Sequence, residues 1–428
     1  MWVLHRWPAV PPLSSRVGRS GDVRSAQEMA RFTIDFLGCK VSNVDAHEIR
    51  ERLLADGHTE ARGGASAEVA VINACCVTNE AVAKSRKAAA RAARTHGRVF
   101  ITGCGANLAG DAFATLPENV TVVARRSEET PAAVASEIGA LGCLGTDEVR
   151  VNRVRAVVKI QDGCSFQCSY CVVPIVRGES RSRGVDAIFA EASRRIAQGH
   201  RELVLTGINL GCFKADGFDL ARLVRELAAL PDLARVRLSS IEINHVNDEL
   251  LAVMHETPKV ARHLHVPLQS GDDGVLRAMR RHYDIATYER RLAGLNGAFN
   301  LTTDVIVGFP TEDDAAFENT VGTVARLGIT RVHVFPYSPR PGTATSGDDP
   351  VPAAVKRERG SRLRTLSYEL ERQRWRQKLG SIDTVLVDRR GRGYGDDYTP
   401  FLVDAPIGEL VRVRAVDVTE EGILASSA

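Results

Sequence analysis

No run of about 18 apolar residues occurs in this 428-residue chain, so a membrane-spanning helix is not part of the expected architecture. A secretory leader is not expected either: residues 1–28, MWVLHRWPAVPPLSSRVGRSGDVRSAQE, hold the Arg and Ser of a targeting peptide but no continuous hydrophobic core. They lack periodicity and read as a disordered extension or an upstream start, because Met29 opens a strand-like run at once. The nine cysteines are an odd number in a long chain, which does not suit a small disulfide scaffold. Reduced thiols acting as ligands or catalysts in a cytoplasmic protein are the expected use. Net charge is scarce as well, only +3, so composition by itself does not argue for a nucleic-acid partner.

What is present is a chain 44% apolar and 25% charged, long enough for two or three domains with large cores. Its most unusual stretch is QDGCSFQCSYCVVP, from Gln161 to Pro174, where Cys164, Cys168 and Cys171 are spaced C-x3-C-x2-C with no further cysteine until Cys212. Three thiolates in one loop suit three corners of an iron-sulfur cube and leave the fourth iron without a protein ligand. Structural zinc normally closes a tetrahedron with four ligands, and a redox pair of Cys168 with Cys171 leaves Cys164 unexplained. Both alternatives stay open on spacing alone.

An apolar run, a cysteine and then a helical stretch recur in the N-terminal part. Phe32 to Leu37 leads to Cys39, Val69 to Asn73 leads to Cys75, and Val99 to Thr102 leads to Cys104. Parallel α/β sheets bind ligands beyond the carboxyl ends of their strands, and all three cysteines fall there. Cys39, Cys75 and Cys104 are therefore candidates for a second cluster or metal site, although a lone strand-end cysteine is commonly a small buried apolar residue. Cys76 is expected to point elsewhere and, with Cys143 and Cys212, to be a non-ligand.

The cysteine loop, with Tyr170 before its last cysteine, resembles the signature of the radical S-adenosylmethionine (SAM) superfamily. That resemblance implies a [4Fe-4S] cluster on Cys164, Cys168 and Cys171 whose open iron takes SAM. Strand-like runs at Val154–Gln161, Glu202–Thr206, Ala234–Ser239, His263–Leu268, Thr302–Gly308 and Arg331–Phe335 predict a partial (β/α)6 barrel with chemistry at its C-terminal face. Tyr170, Thr206, Gly207, Ser239, Glu242 and Gln269 are the expected SAM contacts.

Further motifs narrow the resemblance: VINACCVTNEAVAKSR at 71–86, CSYCVVPIVRGESRSR at 168–183, LHVPLQSGDDGVLRAMRR at 264–281 and HVFPYSPRPGTA at 333–344. Together they resemble the methylthiotransferases over about residues 31–428. The resemblance implies an auxiliary [4Fe-4S] cluster on Cys39, Cys75 and Cys104, and SAM used both as methyl donor and as radical source. Within the family the motifs look most like the enzymes that methylthiolate N6-threonylcarbamoyladenosine beside the tRNA anticodon. The runners-up modify isopentenyladenosine in tRNA or an aspartate of a small-subunit ribosomal protein, and a two-cluster electron carrier is the non-enzymatic rival. Expected partners are tRNA, an electron donor such as flavodoxin or ferredoxin, and a sulfur donor, with no membrane.

The expected domains are a parallel α/β sheet domain at 29–145, the radical SAM partial barrel at 150–350, a basic helix at 351–380 and a small all-β TRAM-like barrel at 381–428. Residues 353–379 carry nine Lys or Arg against three Glu, usually the mark of a solvated face and alternatively of a phosphate-tracking one. Arg177, Arg181 and Arg183 in the loop after the cysteines, with Arg372, Arg374 and Arg376 on the helix, are the expected RNA contacts.

Overall fold

Unbroken apolar runs flanked by amphipathic stretches give parallel strands covered by helices. The computed structural model describes residues 29–61, 66–108, 110–139, 154–295 and 297–428. Cys143 and the 1–28 extension lie outside them. The N-terminal sheet is wholly parallel, ordered β2-β1-β3-β4-β5. Its strands are β1 (Arg31–Phe36), β2 (Thr59–Glu60), β3 (Val69–Asn73), β4 (Arg98–Thr102) and β5 (Val120–Val122). Helices α1 (Lys40–Ala55), α2 (Asn79–Ala92), α3 (Gly103–Asn107) and α4 (Thr130–Ile138) complete the unit. All five residues of β3 are buried, as expected of a strand covered on both faces. The Thr78 hydroxyl caps α2 by accepting from the Ala81 N–H at 3.1 Å. Gly103, at φ +80°, turns β4 into α3; a Cβ there would stand 1.8 Å from Asn73 Oδ1, so only glycine fits.

The central unit is the expected six-stranded partial barrel. One parallel sheet comprises β6 (Arg155–Lys159), β9 (Glu202–Thr206) and β12 (Arg235–Leu238). The other comprises β13 (His263–His265), β14 (Asn300–Val307) and β15 (Arg331–Pro336). Bridges from Val236 to Val260 and from Ser240 to His265 join the two. Outside pack α6 (Val185–Ala197), α7 (Leu220–Ala228), α8 (Asp248–Glu256), α9 (Asp273–Ala278), α10 (Ile285–Ala293) and α11 (Asp314–Arg326). Two short antiparallel ribbons decorate the barrel. One pairs β10 (Lys214–Ala215) with β11 (Phe218–Asp219). The other pairs β7 (Gln161–Asp162) with β8 (Arg181–Ser182) and pinches the base of the cysteine loop and of α5 (Val173–Arg177).

At the C-terminus α12 (Ala353–Gln377) leads into a closed barrel ordered β16-β17-β18-β20-β19. Its strands are β16 (Ile382–Arg389), β17 (Arg392–Tyr394), β18 (Pro400–Leu402), β19 (Leu410–Val418) and β20 (Ile423–Ser427), around Val385, Phe401, Val413 and Ile423 with Trp375 of α12. This small barrel docks on the N-terminal end of the large one, where charged residues begin the strands. Arg235 donates to the carbonyls of Tyr394 and Gly395 at 2.9 and 3.1 Å, Arg155 pairs with Asp388 at 3.1 Å, and Asn300 donates to the Asp397 carbonyl at 2.9 Å. Behind that joint Glu202, fully buried, bonds Arg237 at 2.7 Å and lies 3.6 and 3.7 Å from Arg155 and Arg235.

The docking corrects the expectation for α12. Arg372 is buried, donating to the carbonyls of Thr419 and Glu420 and lying over the Trp375 ring. Arg374 pairs with Asp397 at 2.9 Å. Both fasten the small barrel instead of offering charge to RNA; Arg376 alone of that trio is exposed and unpaired among the described residues. No described helix is long and apolar enough to cross a membrane.

Candidate functional site: two cysteine triads around a cavity

Both triads stand at the carboxyl ends of their sheets, each fixed by local backbone. Gly163, at φ +68°, precedes Cys164, and a Cβ there would meet the Glu179 carbonyl at 2.0 Å. The loop it opens keeps its sulfurs close enough to repel one another as thiolates. The Phe166 N–H points at Cys164 Sγ at 3.4 Å, and Arg281 donates to Cys168 Sγ at 3.3 Å. Arg281 is itself held by Glu242 and by the Tyr283 hydroxyl at 3.3 Å.

In the N-terminal sheet, Cys39, Cys75 and Cys104 likewise converge within electrostatic reach. The Val77 N–H points at Cys75 Sγ at 3.5 Å, and Arg177 Nε donates to Cys104 Sγ at 3.0 Å. Burial lifts the thiol pKa of Cys75 and Cys164 and pushes Cys171 up to about 12. Cys104 runs the other way: a hydrogen bond with Cys76 and the Arg177 guanidinium hold it at about 7 despite burial. Cys76, expected to point elsewhere, therefore lies against Cys104.

The donor chemistry fits iron-sulfur clusters. Each triad offers three thiols and N–H donors already aimed at sulfur, with Cys75 buried and Cys39 exposed. Among the described residues no three Cys, His, Asp or Glu side chains converge on a single metal ion. A cube that gives each thiolate its own iron corner does not require them to.

Between the cysteine loop and the N-terminal sheet opens a cleft of about 190 Å³ that continues into open solvent. Val77 and Thr78 line it from the N-terminal sheet, Tyr170 to Val173 from the cysteine loop, and Gln269, Asp304 and Ile306 from the barrel. Phe335, Tyr337 and Arg340 close it after β15. Arg340 Nη1 donates to the Cys76 carbonyl at 3.1 Å and the Asn79 N–H meets Ser338 Oγ at 3.2 Å, which joins the two units across the cavity.

Of the expected SAM contacts, Tyr170 and Gln269 line this cavity. Thr206 and Ser239 are buried at the strand ends, and a Cβ at Gly207 would strike Gln161 at 2.9 Å. Glu242 turns to Arg281. Of the loop arginines, Arg177 is buried, whereas Arg181, paired with Glu128 at 3.1 Å, and Arg183, paired with Glu191, stay partly exposed. Sequence reasoning missed Arg281 and Arg340, although both lie in quoted motifs, because their only signal was membership of a motif. Cys212, set aside as a bystander, lies near Cys164 and bonds His245 Nε2 at 3.3 Å.

The Radical SAM superfamily matches residues 158–324, and a family described as Uncharacterized protein family UPF0004 matches residues 31–125. The threonylcarbamoyladenosine tRNA methylthiotransferase MtaB of Thermotoga maritima is 31% identical over 424 residues, covering 94% of this chain and 98% of the relative. The Bacillus subtilis protein of the same name is 32% identical, covering 90% and 94%. The tRNA-2-methylthio-N(6)-dimethylallyladenosine synthase of Novosphingobium aromaticivorans is 31% identical, covering 94% and 99%. Among solved structures the fold is similar to that of the radical SAM methyltransferase TsrM of Kitasatospora setae, with TM-score 0.58 at 13% identity over 74% of this chain and 75% of that one. With its paired sulfur triads and this kinship over nearly its whole length, the chain belongs to the radical SAM methylthiotransferases, enzymes that work with SAM and two [4Fe-4S] clusters.

Proposed function

We propose that this enzyme converts N6-threonylcarbamoyladenosine beside the anticodon of tRNA into its 2-methylthio derivative. The observation that carries this reading is the near full-length similarity to relatives named for that reaction. The cavity supports it: it lies between the cysteine loop and the N-terminal sheet, and Tyr170, Phe335 and Tyr337 offer rings against which an unstacked base can lie. In this reading Cys164, Cys168 and Cys171 hold the radical SAM cluster and Cys39, Cys75 and Cys104 the auxiliary one. At the first, SAM, when bound, would supply radical chemistry able to remove the hydrogen on adenine carbon 2, a C–H too weakly acidic for side-chain bases. The protein's own part is to exclude water, hold the base beside the cysteine loop and fix the sulfurs through Arg177 and Arg281. An electron donor of the flavodoxin or ferredoxin kind and a sulfur donor complete the reaction.

The RNA surface belongs elsewhere than on α12. Lys84, Lys87 and Arg91 of α2, with Arg94 in the turn just past its end, form one exposed stripe at successive spacings of three and four residues. Lys84 pairs with Glu80 at 2.7 Å, while Lys87, Arg91 and Arg94 have no partner among the described residues. Neighbouring like charges weaken a helix, a cost that anionic phosphate would reverse. The helix that carries it starts just past Thr78, at the cavity wall.

Nucleoside mass spectrometry of tRNA from cells with and without the gene tests the substrate. Loss of the 2-methylthio form of threonylcarbamoyladenosine supports the reading. Loss of the isopentenyladenosine derivative instead favours the second reading, which the Novosphingobium relative recommends.

A further inference from the structure

Arg177 closes α5, six residues after Cys171, and is 5% exposed. Its fork is fully used: Nε donates to Cys104 Sγ at 3.0 Å, Nη1 to both oxygens of Asp162 at 3.0 and 3.1 Å, and Nη2 to Asp45 Oδ2 at 2.7 Å. Asp45 lies on α1, which begins directly after Cys39, and Asp162 stands two residues before Cys164. A single guanidinium thus touches one thiol of the N-terminal triad and the chain segments that carry members of both triads. Lys159 braces the same carboxylates, 2.8 Å from Asp45 and 3.8 Å from Asp162, without reaching a sulfur.

We infer that Arg177 is a positioning residue for the auxiliary cluster: its charged N–H on the Cys104 sulfur raises the cluster's reduction potential, and its two carboxylate bonds register one cluster against the other. A cluster that accepts an electron gains negative charge, and a fixed cation with a hydrogen bond to sulfur stabilises the reduced form. In the low-dielectric surroundings of a buried side chain that effect is strong. The inference rests on the reading of Cys104 as a cluster ligand.

The test uses full-length protein in which Cys164, Cys168 and Cys171 are changed to Ala, so that the auxiliary cluster alone gives the electron paramagnetic resonance signal. Iron is counted, and the midpoint potential is found by titration with dithionite in the parent and in its Arg177→Lys and Arg177→Gln derivatives. The expected result is a more negative potential in Arg177→Gln, with Arg177→Lys between it and the parent. If Arg177→Gln fails to hold iron, retention of iron by Arg177→Lys supports the same charged contact. Equal potentials in all three proteins, or equal iron loss in both derivatives, overturns the inference. Cys104→Ala in the same background is the separate arm: undiminished iron there removes the ligand reading itself, and the inference with it.

Discussion

Arg177 and Arg281 each aim one N–H at one thiol of a triad, and each is pinned by carboxylate or phenol groups from other elements. The division of labour between the triads is testable at this scale. Cys164→Ala is expected to abolish reductive cleavage of SAM to 5'-deoxyadenosine, whereas Cys75→Ala should keep cleavage and lose methylthiolation. Chromatography of both products from the anaerobically reconstituted variants checks it, and equal loss of cleavage in the two would refute it. The grouping of the six cysteines was legible, because three share the C-x3-C-x2-C spacing and three stand at successive strand ends. The arginines were not: a cation's sign says nothing of its burial, and Asp45, which holds Arg177, lies 132 positions away. The motif that carries Arg177 pointed to RNA when the residue serves a sulfur.

Among the elements, β9 carries the most exacting charge, since Glu202 faces Arg155, Arg235 and Arg237 at once at the joint between the barrels, with Asp388 and Asp396 sharing the first two. Replacing it with Gln leaves those cations short of one carboxylate, and breaking such a buried pairing costs about 3–5 kcal/mol. Denaturant unfolding should register a loss of that order, with the small barrel more open to proteolysis; a change within ~0.5 kcal/mol would show the joint to be indifferent to the pairing. On α2 and the turn after it, changing Lys87, Arg91 and Arg94 together to Gln should leave iron content and SAM cleavage intact. The slope of log affinity for tRNA against log salt should shallow by about 2 units. The matched triple on α12, Arg357, Arg364 and Arg376, serves as the comparison, and an effect confined to it would return the RNA surface to that helix. The basic run of α12 could be counted from sequence. Which of its arginines met solvent depended on the Thr419 and Glu420 carbonyls, which no helical periodicity reveals.

For the molecule as a whole, the three kinds of unit followed from features that a sequence displays: alternating βα runs, strand-end cysteines and a short alternating tail. The relative placement of the units did not, because it rests on single long-range bonds such as Arg340 to Cys76 and Asn300 to Asp397. That placement sets the small barrel at the N-terminal ends of the strands and the cavity at their C-terminal ends. The eight residues of β14 span about 26 Å at ~3.3 Å each. An RNA gripped at both ends would have to be longer than an isolated hairpin loop. Full-length tRNA should therefore surpass the bare anticodon stem-loop in kcat/KM. Changing the exposed Arg389, Arg390 and Arg412 of the small barrel to Gln should cut the rate on the first and spare the second. Equal rates on the two RNAs would place every contact near the cavity. If both barrels hold the RNA they act as the jaws of a calliper, and the height of the larger one would set which nucleotide along the RNA arrives beside the cysteine loop.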